Sequence, residues 1–250
     1  MPARRAEFLL VDNSNSFTKF ALSSQNRLGA VRKLPTPEVS PARVRALLKG
    51  WEFQRVVLCS VVPAKAAVLK QVFRADPVLE VSARIELGVG IEYPKPATIG
   101  ADRLANAAAA AAFYGAPAIV VDFGTAVSFD ILAANGNYVG GVIAPGLEAM
   151  TDYLHQRTAL LPKITLLEPP AAIGKSTRTA MLSGAVYGYR GLIRQILIEL
   201  TRELGSPRKL SVVATGGYAE LIAAALPEIQ TVRQDLTLQG LRILGGLNPA

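Results

Sequence analysis

Two stretches in opposite halves of the chain share one layout, and that repeat constrains the fold more than any other feature. "LLVDNSNSFTKFAL" (9–22) and "IVVDFGTAVSFDIL" (119–132) each run from an apolar strand through an aspartate and a small-residue turn into an alternating strand. Val11-Asp12-Asn13-Ser14 lies over Val121-Asp122-Phe123-Gly124, and Phe20-Ala21-Leu22 over Asp130-Ile131-Leu132. Two such hairpins half a chain apart predict a duplicated domain with a cleft between the halves. Unrelated β-hairpins of this length also look alike, so spacing alone leaves both readings open.

The remaining pattern is that of an α/β protein. Apolar, β-branched runs ("EFLLVD", "RVVLCSVV", "AIVVDFG", "AVSFDILA", "LSVVATGG") alternate with longer helical patterns. Ser40 is placed to cap "SPARVRALLKG", with Pro41 in its first turn, and Pro63 opens "PAKAAVLKQVFR". "ADRLANAAAAAAFYG" is alanine-rich and closed by Gly115. The longest helix, "TRTAMLSGAVYGYRGLIRQILIELTREL", carries Gly184, Gly188 and Gly191, tolerable where another helix or a ligand comes close.

Composition narrows the function classes. The chain of 250 residues is 50% apolar and 18% charged, which predicts a well-buried core rather than disorder. No apolar run approaches the roughly 18 residues of a membrane span. The four-residue apolar run after the early arginines is too short for a signal-peptide core. The expectation is a soluble, cytoplasmic protein without a membrane partner. Cys59 and His155 each stand alone, which argues against an internal disulfide, a cysteine-rich or histidine-rich metal site and a histidine-centred triad. A net charge of +8 favours anionic partners, from nucleotides to nucleic acid. The cations are nevertheless scattered, with "RRAE", "RVRALLKG" and "RELGSPRK" the nearest to clusters, and no aromatic residues interleave them. Solvated surface with a few anion contacts is therefore expected, not nucleic-acid binding.

Four places carry the groups for chemistry. Asp122-Phe123-Gly124-Thr125-Ala126 follows a buried strand with an acid for a cation, a glycine that lets a phosphate approach and a hydroxyl to donate to it. A glycine turn with a locally capping Asp would read the same way. "GGVIAPG" (140–146) is either a second binding segment or a rigid loop. In "GADRLANAAAA", Asp102, Arg103 and Asn106 are polar residues at the start of an apolar helix. Asp102 is there either a helix cap or a general base, with Arg103 gripping an anionic group. The Pro-rich stretch upstream brings Tyr93 to the same place. Thr215-Gly216-Gly217, between a strand and a helix, leaves room for a flat ring or a phosphate, although two glycines after a strand are a frequent turn.

In order, "LLVDNSNSFTK", "GADRLAN", "VVDFGTAVSFD", "GGVIAPG", "RTALLPKI", "IGKSTRTAMLSGAVYG" and "VVATGG" resemble the type III pantothenate kinase family, including its Bvg-accessory-factor-like members, across nearly the whole chain. The resemblance implies two ribonuclease-H-like domains of the acetate kinase/sugar kinase/Hsp70/actin superfamily around a nucleotide cleft, divided here as 1–115 and 116–250. It implies phosphorylation of pantothenate by ATP, the first step of coenzyme A synthesis, with Mg²⁺ or a similar divalent ion and K⁺ or NH₄⁺. Carried over residue by residue, the first phosphate motif falls on Asp12, Asn13, Ser14, Asn15, Ser16 and Lys19, with Asp12 also near the metal. The monovalent-cation acid falls on Asp122, ATP contacts on Thr125, Gly216 and Gly217, and the proton acceptor on Asp102. Substrate contacts fall on Tyr93, Gly100, Ala101, Asp102, Arg103 and Thr177. Small-residue helices at the family's subunit interface imply a homodimer.

The first motif departs from the family's usual Asp-x-Gly-Asn-Thr, since Ser14 stands in the glycine slot, and Ser128 stands where a threonine is common. If the slot needs positive φ, serine would be strained by roughly 1 kcal/mol or more. If it needs only a small side chain, the Ser14 hydroxyl is free to donate to a phosphate. A weaker ATP site, another phosphate donor, and a non-catalytic regulatory or binding homologue therefore stand beside the active kinase.

Overall fold

The computed structural model describes residues 5–205 and 209–249, so parts of the basic stretches at 4–7 and 202–209 lie outside the described residues. The chain forms two compact units. The first comprises Met1–Phe113, Gly136–Val139 and Asp235–Ala250, and the second Tyr114–Asn135 and Gly140–Gln234.

In chain order the elements of the first unit are β1 (Ala6–Asn13), β2 (Phe17–Ser23), β3 (Leu28–Pro35), α1 (Pro41–Leu47), β4 (Phe53–Ser60), α2 (Pro63–Val72), β5 (Val78–Glu80), β6 (Gly90–Ile91) and α3 (Ala101–Tyr114). The second unit holds β7 (Ala118–Phe123), β8 (Ala126–Leu132), most of β9 (Asn137–Pro145), α4 (Leu147–Arg157), α5 (Thr177–Glu203), β10 (Ser211–Thr215), α6 (Ala219–Ala223) and β11 (Thr231–Val232). The final helix, α7 (Leu236–Leu247), returns to the first unit.

The first sheet runs β3-β2-β1-β4-β5, with β2 antiparallel to β1 and β3, and β4 and β5 parallel to β1. In the second unit β9-β8-β7-β10-β11 repeats that order, with β8 antiparallel and β10 parallel to β7. The duplication is thus real, and its register corrects the sequence overlay. Val11 pairs with Phe20, and Val121 pairs with Phe129. Phe20 therefore matches Phe129, not Asp130. The slip arises in the turns: Ser14–Phe17 separate the last paired residues of the first hairpin, but only Gly124–Ala126 separate those of the second.

The central strands β1 and β4 are buried on both faces over much of their length, which is why they read as continuous apolar runs, whereas the edge strand β3 is not. Leu9, Val11, Val56 and Leu58 pack with Val44, Leu69 and Phe73 of the α1–α2 side. On the other face α7 lies against the sheet, with Gly245 beside Val57 and Phe8. Ser40 caps α1 as predicted, accepting from the Arg43 amide, and Ser176 and Thr179 form a reciprocal cap on α5. "GGVIAPG" is neither a loop nor a turn over most of its length. It forms the end of β9, with Gly146 at the N-cap of α4. Among the described residues no helix is long and apolar enough to cross a membrane.

Candidate functional site

In the first unit, the β1–β2 hairpin presents Asp12 at the end of a buried strand, where the carboxylate is only 2% exposed. Lys19, opposite it in the ladder, brings Nζ to 3.4 Å from Oδ2, and the Ser14 hydroxyl donates to Oδ1 at 2.8 Å. Asn15 and Ser16 are exposed at the tip. Asn13 is placed differently: its side chain is fully buried, with Nδ2 donating to Thr18 Oγ1 at 2.7 Å and Oδ1 accepting from Ser60 at 2.6 Å. What Asn13 presents to the turn is therefore backbone.

The start of α3 lies in the same unit. The Arg103 amide donates to Asp102 Oδ1 at 2.8 Å, holding the carboxylate at the start of the helix. Gly100, two residues before Asp102, lies under that carboxylate, and a Cβ there would sit 2.6 Å from Asp102 Oδ1, so any side chain would push the carboxylate from this position. Burial pushes the Asp102 carboxyl above the usual carboxylate range. The Arg103 amide bond opposes the shift, the negative charge of Asp12 adds to it, and the Arg103 guanidinium opposes it. Asp12 and Asp102 thus feel one another, and both act with burial to push the Cys59 thiol well up. Cys59, buried behind the hairpin, is an inert packing residue at neutral pH.

Arg103 lies over the Tyr138 ring at 5.8 Å, and Tyr93 meets the same ring edge-on at 6.3 Å. Tyr138 is fully buried at the start of β9, while Tyr93 keeps about a third of its surface open. Asn106, grouped in the sequence with Asp102 and Arg103, instead belongs to the core. It is 1% exposed and accepts from Thr237 of α7 at 2.9 Å, so it ties the two helices together.

The second unit carries the matching hairpin. Thr125 is exposed in the β7–β8 turn, and Asp122 sits one ladder position from its close. Gly216 follows β10 at φ +92°, a conformation that favours glycine, and a Cβ there would meet Asp122 Oδ1 at 2.6 Å. The Asp122 carboxylate therefore lies against the Gly216 backbone. Gly217 is exposed with open space around it, and Thr177 is exposed in the first turn of α5. Gly184, Gly188 and Gly191 were expected where a helix or ligand approaches, yet a Cβ at any of them meets nothing within 4 Å. Gly184 instead borders an apolar groove of about 700 Å³ between α4 and α5, lined also by Met150, Tyr153, Leu154 and Met181.

Tyr138, Thr36 and Ser60 escaped sequence reasoning, and Thr18, inside the first phosphate motif, received no role of its own. Each acquires its role only through a partner distant in the chain or across the ladder.

The family model described as type III pantothenate kinase matches residues 8–199. A type III pantothenate kinase from Akkermansia muciniphila is 54% identical over 242 residues, covering 96% of this chain and 99% of that protein. One from Methylacidiphilum infernorum is 42% identical, covering 95% and 87%. Among solved structures, MreB 5 of Spiroplasma citri bound to AMPPNP aligns at a TM-score of 0.55 with 13% identity, over 98% of this chain and 97% of that one. That likeness speaks for the shared actin-type fold.

Proposed function

The chain belongs to the type III pantothenate kinase family, and from that premise we propose how its own residues carry the reaction. It phosphorylates pantothenate in coenzyme A biosynthesis, with ATP as the donor. The non-catalytic reading is not needed: Asp12, Asp102, Asp122 and Thr125 are all present, and the close relatives carry the kinase name.

Asp102 carries the assignment. A buried carboxylate above the usual range, held by its neighbour's amide, is a better base than an exposed one. We assign it to orient and deprotonate the primary hydroxyl of pantothenate as that oxygen attacks the γ-phosphorus. Phosphoryl transfer depends chiefly on alignment and charge neutralisation. Lys19 and the hairpin residues Asp12 to Ser16 are assigned to the donor phosphates, and Thr125, Gly216 and Gly217 to the nucleotide. Tyr93 and Arg103, braced on Tyr138, suit the amide and carboxylate of pantothenate, with Gly100 and Ala101 forming the adjoining backbone and Thr177 as a further contact.

Asp12 fits a divalent cation such as Mg²⁺, being a buried carboxylate whose charge is felt by a second one. Such an ion would neutralise charge on the transferring group. Asp122, whose carboxylate lies against the Gly216 backbone, fits K⁺ or NH₄⁺. The apolar groove between α4 and α5 supports a homodimer. A cytoplasmic setting, with neither membrane nor nucleic acid as partner, agrees with the scattered cations and the lone cysteine.

The deciding assay is ADP release by the purified protein with ATP, Mg²⁺ and K⁺, with and without pantothenate. Release that depends on pantothenate supports the reading. Release indifferent to pantothenate, or none with any nucleotide donor, sinks it.

A further inference from the structure

A chain of hydrogen bonds runs beneath the β1–β2 turn, and its direction is fixed by chemistry. The Thr36 hydroxyl reaches the Ser14 carbonyl at 2.6 Å, and a carbonyl only accepts, so the single Thr36 hydroxyl proton goes there. In the 3.0 Å contact between the Thr18 and Thr36 hydroxyls, Thr18 is therefore the donor. Thr18 Oγ1 in turn accepts from Asn13 Nδ2 at 2.7 Å, which leaves Asn13 Oδ1 to accept from Ser60 at 2.6 Å. Every bond points one way: Ser60 to Asn13 to Thr18 to Thr36 to the Ser14 backbone. Asn13, Thr18 and Thr36 are at most 3% exposed, so a broken bond here leaves a buried group without a partner.

Thr36 also grips the turn a second time, its own amide donating to the Ser16 carbonyl at 2.9 Å. It thus holds the carbonyls on both sides of Asn15. In a trans peptide the N–H points opposite to the C=O. The amides of Asn15 and Phe17 are consequently turned away from Thr36, and the amide direction of a short turn decides whether it can cradle an anion.

We propose that Thr36 is a positioning residue for the donor-phosphate hairpin, setting the direction of its amides through this one-way buried chain. The inference rests on the reading of residues 12–19 as the phosphate loop. It accounts for how the hairpin keeps its shape without the family's glycine: the turn is held from below by side chains, and backbone freedom at residue 14 is not required.

The test is titration of the full-length protein with ADP, alongside steady-state kinetics, for Thr36→Val, Thr36→Ser, Ser60→Ala and Lys19→Ala. Thr36→Val keeps the shape and removes two hydrogen bonds, so it should weaken ADP binding about tenfold. KM for ATP should rise in step while KM for pantothenate stays put. Thr36→Ser retains the hydroxyl and should stay within about twofold of the wild type. Ser60→Ala, at the half-buried far end of the chain, should weaken ADP about twofold to threefold and serves if Thr36→Val does not fold. A lower Tm with unchanged ADP affinity in Thr36→Val, or in Ser60→Ala where that variant has to serve, overturns the proposal. Lys19→Ala separates the two levels. If it weakens ADP while the Thr36 and Ser60 variants do not, the positioning role alone fails. If none of the three weakens ADP, the phosphate-loop reading fails with it.

Discussion

Ser14 Oγ donates to Asp12 Oδ1 at 2.8 Å, so the hydroxyl in the family's glycine slot is committed within the hairpin. The expectation of a hydroxyl free for phosphate does not describe that arrangement. Ser14→Gly should then destabilise the protein by about 1–2 kcal/mol, losing a hydrogen bond to a charged group and loosening the unfolded chain. Urea denaturation measures it. A gain in stability would mean that serine is strained there after all.

Asp102→Asn should lower kcat at least about a hundredfold while leaving ADP affinity near normal. It should also raise stability at neutral pH. The folded carboxyl binds its proton more tightly than the ordinary value of about 3.9 allows. The stability this contributes is complete below that value and is lost as pH rises through the raised one. At pH 7 ionised Asp102, facing Asp12 and Cys59 with Arg103 and Lys19 nearby, is a burden that Asn removes. Melting curves at pH 7 and near pH 3.5 should show the advantage of Asn at the first and not at the second. Wild-type kcat/KM should fall on the acid side with a midpoint above the ordinary carboxylate value.

Gly216→Ala should cost at least about 1 kcal/mol, because alanine disfavours φ +92°. Its Cβ would also press on Asp122 Oδ1 and the Phe123 backbone, both at 2.6 Å. Weakened nucleotide binding and a greater need for K⁺ should accompany the loss. Unaltered K⁺ dependence would detach Asp122 from the cation role.

The ion pair between Arg190 and Glu168 should respond unequally to its two deletions. Arg190 holds Glu168 at 2.9 and 2.6 Å and also donates to the Leu221 carbonyl at 2.6 Å, with its side chain 6% exposed against 56% for Glu168. Glu168→Ala strands a buried guanidinium, whereas Arg190→Met strands only a solvated carboxylate and refills the space. Glu168→Ala should be the more destabilising, by about 1 kcal/mol after allowance for solvent screening. The bond to Arg190 holds the Glu168 carboxyl below its usual range. The pair's contribution is therefore present above about pH 4.3 and lost as pH falls through the lowered value. Equal losses in the two variants at pH 7 would contradict this account.

Much of the fold and site was legible in the residues because it depends on local pattern. Alternation and β-branching marked β1, β4, β7, β8 and β10, and Ser40 and Pro41 marked α1, since strand faces and helix caps are read within a few residues. The repeat of Asp12 and Asp122 announced the duplication, which the common strand order bears out. Asp102 and Arg103 stood out as polar residues opening an apolar helix.

What local pattern could not carry was decided by partners far apart in the chain. The sequence alone determined that an acid ends each repeated strand. Only the tertiary structure decided that the first turn is one residue longer, that Asn106 is bound to Thr237, and that α7 closes the first sheet. Asn13 shows the physical reason. A buried polar side chain takes its role from whichever groups satisfy it, and here those are Thr18 across the ladder and Ser60 at the end of β4. No spacing in the sequence encodes that meeting; packing the sheet does.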